Sequence, residues 1–125
     1  MNYQIEKTNG VSIVSFNSSP TLADAKAVVD TLQQDDAYHF RLWDFSEAVV
    51  DFGTKEVQEI ADYGKVRFKE KNRNALVAPG DLSFGTLRMF EAYREEESFA
   101  IARVFRTRDE AFEWLIDQQH LLAQE

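Results

Sequence analysis

Apolar and polar residues alternate along Tyr3-Gln-Ile-Glu-Lys7 and return to that rhythm along Val11-Ser-Ile-Val-Ser-Phe16, the two-residue period of half-buried strands. Between them stands Asn9-Gly10, a pair suited to a two-residue hairpin because both turn positions need left-handed backbone angles. The chain is therefore predicted to open with a β-hairpin. Ser18-Ser19-Pro20 breaks the second strand. After the break the period lengthens: Leu22, Ala25, Val28, Val29 and Leu32 fall on one face of a helix, with Thr21 and Asp24 placed to cap its first turn. That helix is expected to end between Gln33 and Asp36.

Phe40-Arg-Leu-Trp-Asp-Phe45 is apolar on both alternating faces except at Arg41 and Asp44, as expected of a central strand covered on both sides. A loop follows, holding Asp44, Ser46 and Asp51, with Phe52-Gly53 expected at the surface ahead of a second helix that Thr54 is placed to cap. Val57, Ile60, Ala61, Gly64 and Phe68 recur there at helical spacing. This helix is predicted to run to about Lys71, with Asn72-Arg-Asn74 ending it. Ala75 to Ala78 is a short apolar run stopped by Pro79-Gly80, too short for a helix and therefore an inner strand. Asp81 or Ser83 starts a third helix carrying Leu82, Leu87, Met89, Phe90 and Tyr93, an apolar arc wider than one core contact needs, with Phe84 on yet another side. Phe99 to Phe105 forms the last strand. Thr107 and Glu110 make a capping box for a final helix from Arg108 to about Gln119 that buries Ala111, Phe112 and Leu115.

After the hairpin, strands and helices alternate, which predicts a five-stranded, mostly parallel sheet with four main helices in one domain, residues 1–125. Ligands and partners of such sheets meet the loops beyond the carboxyl ends of the strands. Here those loops are Ser46 to Gly53, Pro79 to Leu82 and Asn17 to Thr21.

Composition narrows the classes of function. The chain has 125 residues, 44% of them apolar and ten of them Phe, enough to fill one core. It has no Cys, which removes disulfides, thiolate nucleophiles and thiolate metal sites together. The net charge of −8 repels phosphate backbones and anionic lipids, so nucleic acid is not expected as a partner. Lys65, Arg67, Lys69, Lys71 and Arg73 are read as a solvated helix face. No apolar run approaches the ~18 residues of a spanning helix, and the first residues lack a signal-peptide pattern. A cytoplasmic protein without membrane insertion is expected.

Candidate chemistry dissolves on inspection. Gly80 to Thr86 has the glycine spacing of a phosphate loop, but the lysine due before Thr86 is missing and Asp81 would repel a phosphate. Asp51-Phe52-Gly53 spells the magnesium tripeptide of protein kinases without the other loops that give it meaning. His39 and His120 have no ligand partners at metal-binding spacing. Asp44, Glu47 and Asp51 would need separated pKa values to work as an acid–base pair; the plainer role is to cap turns and a helix start. Ser46 has neither a neighbouring His nor a nucleophile elbow. No cofactor, metal or reaction follows from these residues.

Leu42-Trp-Asp-Phe-Ser46 with Val50-Asp51, Ala75 to Pro79 followed by Asp81-Leu82 and Gly85, and Val104-Phe-Arg106 leading into Asp109-Glu-Ala111 and Trp114-Leu115 occur in the order seen in the STAS superfamily. The chain resembles its SpoIIAA-like branch of uncharacterised bacterial proteins, akin to anti-sigma-factor antagonists, over almost its whole length. The resemblance implies a non-enzymatic module that docks a partner protein through the loop after the third strand: Asp44, Ser46, Asp51, Phe52, Gly53 and Thr54. In the antagonists that loop carries an aspartate followed by a serine that a partner kinase phosphorylates. Asp51 matches the aspartate, but Phe52 and Gly53 stand at the serine positions, so the phosphoacceptor is not carried over; Thr54 is a hydroxyl one place further on. The branch is also compared with lipid-exchange domains, which offers an alternative: Leu82, Phe84, Met89, Phe90 and Tyr93 lining a groove for an apolar ligand. The same residues could instead form the face of a homodimer.

Overall fold

A computed structural model describes residues 2–35, 39–68, 70–94 and 100–124. Nine elements follow one another: β1 (Tyr3–Thr8), β2 (Val11–Phe16), α1 (Leu22–Asp35), β3 (Phe40–Asp44), α2 (Thr54–Arg67), β4 (Asn72–Val77), α3 (Asp81–Arg94), β5 (Ala100–Phe105) and α4 (Arg108–Ala123). The strands form one five-stranded sheet in sequence order. β1 and β2 pair antiparallel from Tyr3 opposite Phe16 to Thr8 opposite Val11, whereas β2, β3, β4 and β5 pair in parallel. At the hairpin tip Asn9 and Gly10 have φ of 51° and 76°, the left-handed pair that the Asn-Gly dipeptide supplies. Gln119 Nε2 donates to the Asn9 carbonyl at 3.0 Å, tying α4 to this tip.

The alternation along each strand sorts side chains between two cores. Val14 and Phe16 from β2, Leu76 from β4 and Ala102 from β5 meet Val28, Val29 and Leu32 of α1 and Leu87 of α3. On the other face Val11 and Ile13, Leu42, Ala75 and Val77 meet Ala111 and Leu115 of α4. Among the described residues, three helices thus cover one face and α4 alone covers the other. β3 is central, as its two-sided apolar pattern predicts. The outer edge of β5 is covered by a side chain: Glu91 Oε2 of α3 accepts the Val104 N–H at 2.9 Å, removing a backbone donor that could pair with another chain.

Both expected capping pairs form. Thr21 Oγ1 accepts from Asp24 N and Asp24 Oδ2 from Thr21 N, and Thr107 Oγ1 accepts from Glu110 N at 3.2 Å. Several boundaries differ from the sequence reading: α4, expected to end near Gln119, runs on to Ala123. α2 ends at Arg67 instead of Lys71 and is preceded by Gly53, not Thr54, as its N-cap. Glu56 Oε1 accepts the Gly53 N–H at 3.1 Å, which satisfies the helix start without a capping hydroxyl. Asn72-Arg-Asn74 is not a helix terminator but the first half of β4, whose six residues are all buried.

Polar residues can occupy that strand because each has a partner. Asn72 Nδ2 donates to the Glu70 carbonyl, Asn74 Nδ2 to Asn72 Oδ1, and Arg73 Nε to Gln118 Oε1 of α4. Arg73 is therefore buried, and the basic run is not one helix face: Arg67 pairs with Asp30 at 3.1 Å. Lys69 of that run, Asp36 and Phe99 lie outside the described residues. Among those described, no helix is long and apolar enough to cross a membrane.

Candidate functional site

Because β2 to β5 run parallel, their carboxyl ends share one edge of the sheet, where the helix starts also gather. The segment between β3 and α2 crosses this edge and is held at several points. Phe45 N donates to the Val77 carbonyl at 2.9 Å and Ala48 N to the Phe45 carbonyl at 3.1 Å, closing a turn. Val50 N donates to Ser83 Oγ of α3 at 2.8 Å. Val49 N donates to Ser19 Oγ, ahead of α1, at 3.3 Å. The loop is thus pinned to the start of α3 and to the segment before α1.

Asp44 is buried, on the α4 side of the sheet. Its Oδ1 accepts both the N–H and the hydroxyl of Ser46, an Asx turn. Its Oδ2 accepts from Arg108 Nη1 at 3.2 Å, and Arg108 reaches on to Glu6 of β1 at 3.4 Å. Asp44 and Ser46 consequently hold the loop in shape, and the Ser46 hydroxyl is already a donor within it. Asp51, Gly53 and Thr54 are exposed.

Phe52 corrects an expectation. Placed at the surface by the sequence reading, it is half-buried and packs against the three-helix core, because Val50, fully enclosed two residues earlier, draws the chain inward. The apolar residues this edge does expose are Val49, at 51%, and Leu82 in the first turn of α3, at 58%. Each stands next in sequence to one partner of the Val50–Ser83 hydrogen bond.

The apolar arc of α3 is divided. Leu82, Met89 and Tyr93 fall on one flank by helical spacing, Leu82 open and the other two half-buried. Phe84 lies elsewhere, packed on the core with the Arg106 guanidinium 3.9 Å above its ring; Arg106 also meets Asp81 Oδ1 at 2.8 Å. Phe90 points inward and helps to line a cavity of about 80 Å³ between the sheet and the three-helix layer. Trp43 and Leu76 form its sheet side, Ala25 and Val57 its helical side, and Phe52 stands at its loop end.

The polar atoms around this cavity are occupied elsewhere. Trp43 Nε1 donates to Asn74 Oδ1 at 3.0 Å, Thr86 Oγ1 to the Leu82 carbonyl at 3.1 Å, and Arg94 Nη1 to the Ala61 carbonyl at 3.3 Å. A predominantly apolar space results. Of the five residues expected to line a groove beside the third helix only Phe90 lines this cavity, and the loop-holding roles of Ser19, Ser83 and Arg108 are not foreseen from the sequence. Isolated hydroxyls and one arginine carry no periodic signal; only topology brings them to the loop.

Two shifted titrations sit near these helices. Hydrogen bonds from the Thr21 backbone and then from Asn2 hold the Asp24 carboxyl below its ordinary value. Between α1 and α2, the Tyr63 hydroxyl donates to Asp30 at 2.7 Å, which raises its pKa.

No protein-family model matches the chain, and no curated protein does. Solved structures do match it. A Thermotoga maritima protein described as a candidate anti-sigma factor antagonist superimposes with a TM-score of 0.62 at 17% identity, over 90% of this chain and 93% of that one. The anti-sigma factor antagonist SpoIIAA in its unphosphorylated form superimposes with a TM-score of 0.50 at 15% identity, over 90% of this chain and 96% of that one. The chain has the STAS, SpoIIAA-like fold. At these identities the likeness concerns the fold alone.

Proposed function

We propose that this protein is a non-enzymatic regulatory module that docks another protein at the carboxyl edge of its sheet, through the loop between β3 and α2. The observation that carries the reading is the exposure of Val49 within that loop and of Leu82 at the start of α3, with the loop pinned in place by Ser19 and Ser83. A pre-ordered loop loses little entropy on docking. Anti-sigma factor antagonists, the proteins whose fold it shares, support a role in protein–protein regulation. In this reading Asp51, Phe52, Gly53 and Thr54 form the contact surface with Val49 and Leu82, while Asp44 and Ser46 are its scaffold. No phosphoserine switch is part of it, since Phe52 and Gly53 occupy those positions.

The cavity favours a second reading, binding of a small apolar molecule beside α3. At about 80 Å³ it is smaller than the ~150 Å³ apolar cavity that admits benzene, so an acyl tail would have to open the helical layer. Cross-linking separates the readings. A photoreactive residue placed at Thr54 should capture a discrete partner protein in the native cell, and the same group at Leu121 of α4 should not. Equal capture at both positions, or at neither, would remove the docking reading.

A further inference from the structure

We infer that the cavity behind Phe52 is the socket for one apolar anchor of leucine or isoleucine size, presented by a partner segment rich in lysine or arginine. This rests on the docking reading and specifies what the partner must carry. Size is the first argument: a space of about 80 Å³ suits a branched aliphatic group without rearrangement of its walls. Chemistry is the second. Trp43 Nε1, Thr86 Oγ1 and Arg94 Nη1 each have a partner in the protein and most of the lining residues are apolar, so a polar ligand would lose its water for few replacements.

Position is the third. At the loop end the walls are Pro20, Val50 and Phe52, and Phe52 is the least enclosed of them. It adjoins the surface that exposes Val49. An anchor set in a pocket and ringed by weaker apolar contacts is the usual arrangement of an interface hot spot. Charge is the fourth. Glu47, Asp51 and Glu56 are exposed around this edge against Lys55, while Arg106 is paired with Asp81 and Arg108 with Asp44 and Glu6, on a chain of net charge −8. A basic segment is favoured there and an acidic one repelled.

The test uses the full chain and synthetic peptides. The probe is an amphipathic peptide with leucines on one helical face and lysines elsewhere; its controls carry alanine for the central leucine or glutamate for lysine. Binding is followed by Trp43 emission in a Trp114→Phe background and by amide chemical shifts. The lysine–leucine peptide should bind saturably, with shifts concentrated at residues 48–57 and along the cavity lining. Replacing its central leucine by alanine should weaken binding about tenfold or more.

Ala25→Leu fills the cavity from α1 without touching the loop, and should weaken the peptide by a similar factor while the thermal midpoint holds or rises. Val57→Leu supplies a gentler filling should Ala25→Leu fail to fold. Dissolved xenon verifies the filling: it should shift the Val57 and Leu87 methyl resonances in the wild type, and the Leu87 methyls less in either filled variant. Undiminished binding by the filled variants, together with loss of binding in Asp51→Lys, would overturn the socket and leave the docking surface standing. Absence of saturable binding by the lysine–leucine peptide would overturn the socket as well, while the Thr54 cross-link decides the docking reading separately.

Discussion

The two faces of the sheet are built to different tolerances. α4 alone closes one, with Ala111 and Leu115 fully buried against Leu42, Ala75 and Val77. Three helices close the other and leave an apolar cavity beneath α2. α2 finds its main helical neighbours in α1 and α3, and its N-terminus follows the loop whose Phe52 is only half-covered. More covering helices have produced looser packing. A void costs stability, since the atoms lining it lack protein contacts on one side. Its loop end, at Pro20, Val50 and Phe52, lies beside the segment that exposes Val49, and on the socket proposal an incoming side chain would recover those contacts.

The contrast breaks most directly at the tight face. Leu115→Ala should destabilise the fold by about 2–5 kcal/mol, read as a lowered urea midpoint with an unchanged slope. A loss under about 1 kcal/mol would mean that α4 can collapse onto the gap, and that the two faces differ less than their packing suggests. Phe52→Glu probes the looser face. Its half-burial predicts a loss of about 1–2 kcal/mol, below that of a fully buried phenylalanine, together with loss of partner capture at Thr54. A collapse as large as that of Leu115→Ala would make Phe52 a core residue and not part of a contact surface.

What the sequence showed, and what it hid, divides along the same line. The hairpin, the central strand and the caps at Thr21 and Thr107 were legible because each depends on residues a few positions apart: Asn9-Gly10, the run from Phe40 to Phe45, Thr107 and Glu110. The start of β4 was illegible because Asn72, Arg73 and Asn74 are buried by virtue of partners distant in sequence, as with Arg73 and Gln118. The place of the β3–α2 loop at the carboxyl end of β3 was legible, but its inner structure was not. Asp44 is committed to Arg108, 64 positions away, and Phe52 turns inward because Val50 is anchored to Ser83. The cavity belongs to no residue and could not be read from any.

Helix starts on the two faces extend the comparison at smaller scale. Thr107→Ala removes the hydroxyl that accepts the Glu110 N–H and should cost about 1 kcal/mol. Because α4 is the only cover of its face, amide exchange should then accelerate across Ala111 to Leu115 and across β3 and β4 beneath them. Faster exchange limited to the first turn of α4 would show that the rest of the helix holds without its cap.

The smallest effect is expected at the start of α1, on the looser face, and it depends on pH. Asp24 accepts from Thr21 N at 2.9 Å and from Asn2 Nδ2 at 2.8 Å, which keep its carboxyl ionised below the ordinary value of 3.8. A folded-state pKa that lies below the unfolded one adds stability above the unfolded value and withdraws it as pH falls through the folded value. Asp24→Asn keeps a side-chain acceptor but removes the charge. Wild type should therefore melt slightly higher than the variant from pH 7 down to about pH 4, and the gap should close at lower pH as Asp24 protonates. A gap that persists at pH 2 would assign the contribution to hydrogen-bond geometry, which both side chains can supply in part, and not to charge at a helix N-terminus. Solvent screening keeps this effect below that of the Thr107 cap, so melting curves should rank the two helix starts as the packing does: α4, the sole cover of its face, above α1, one of three.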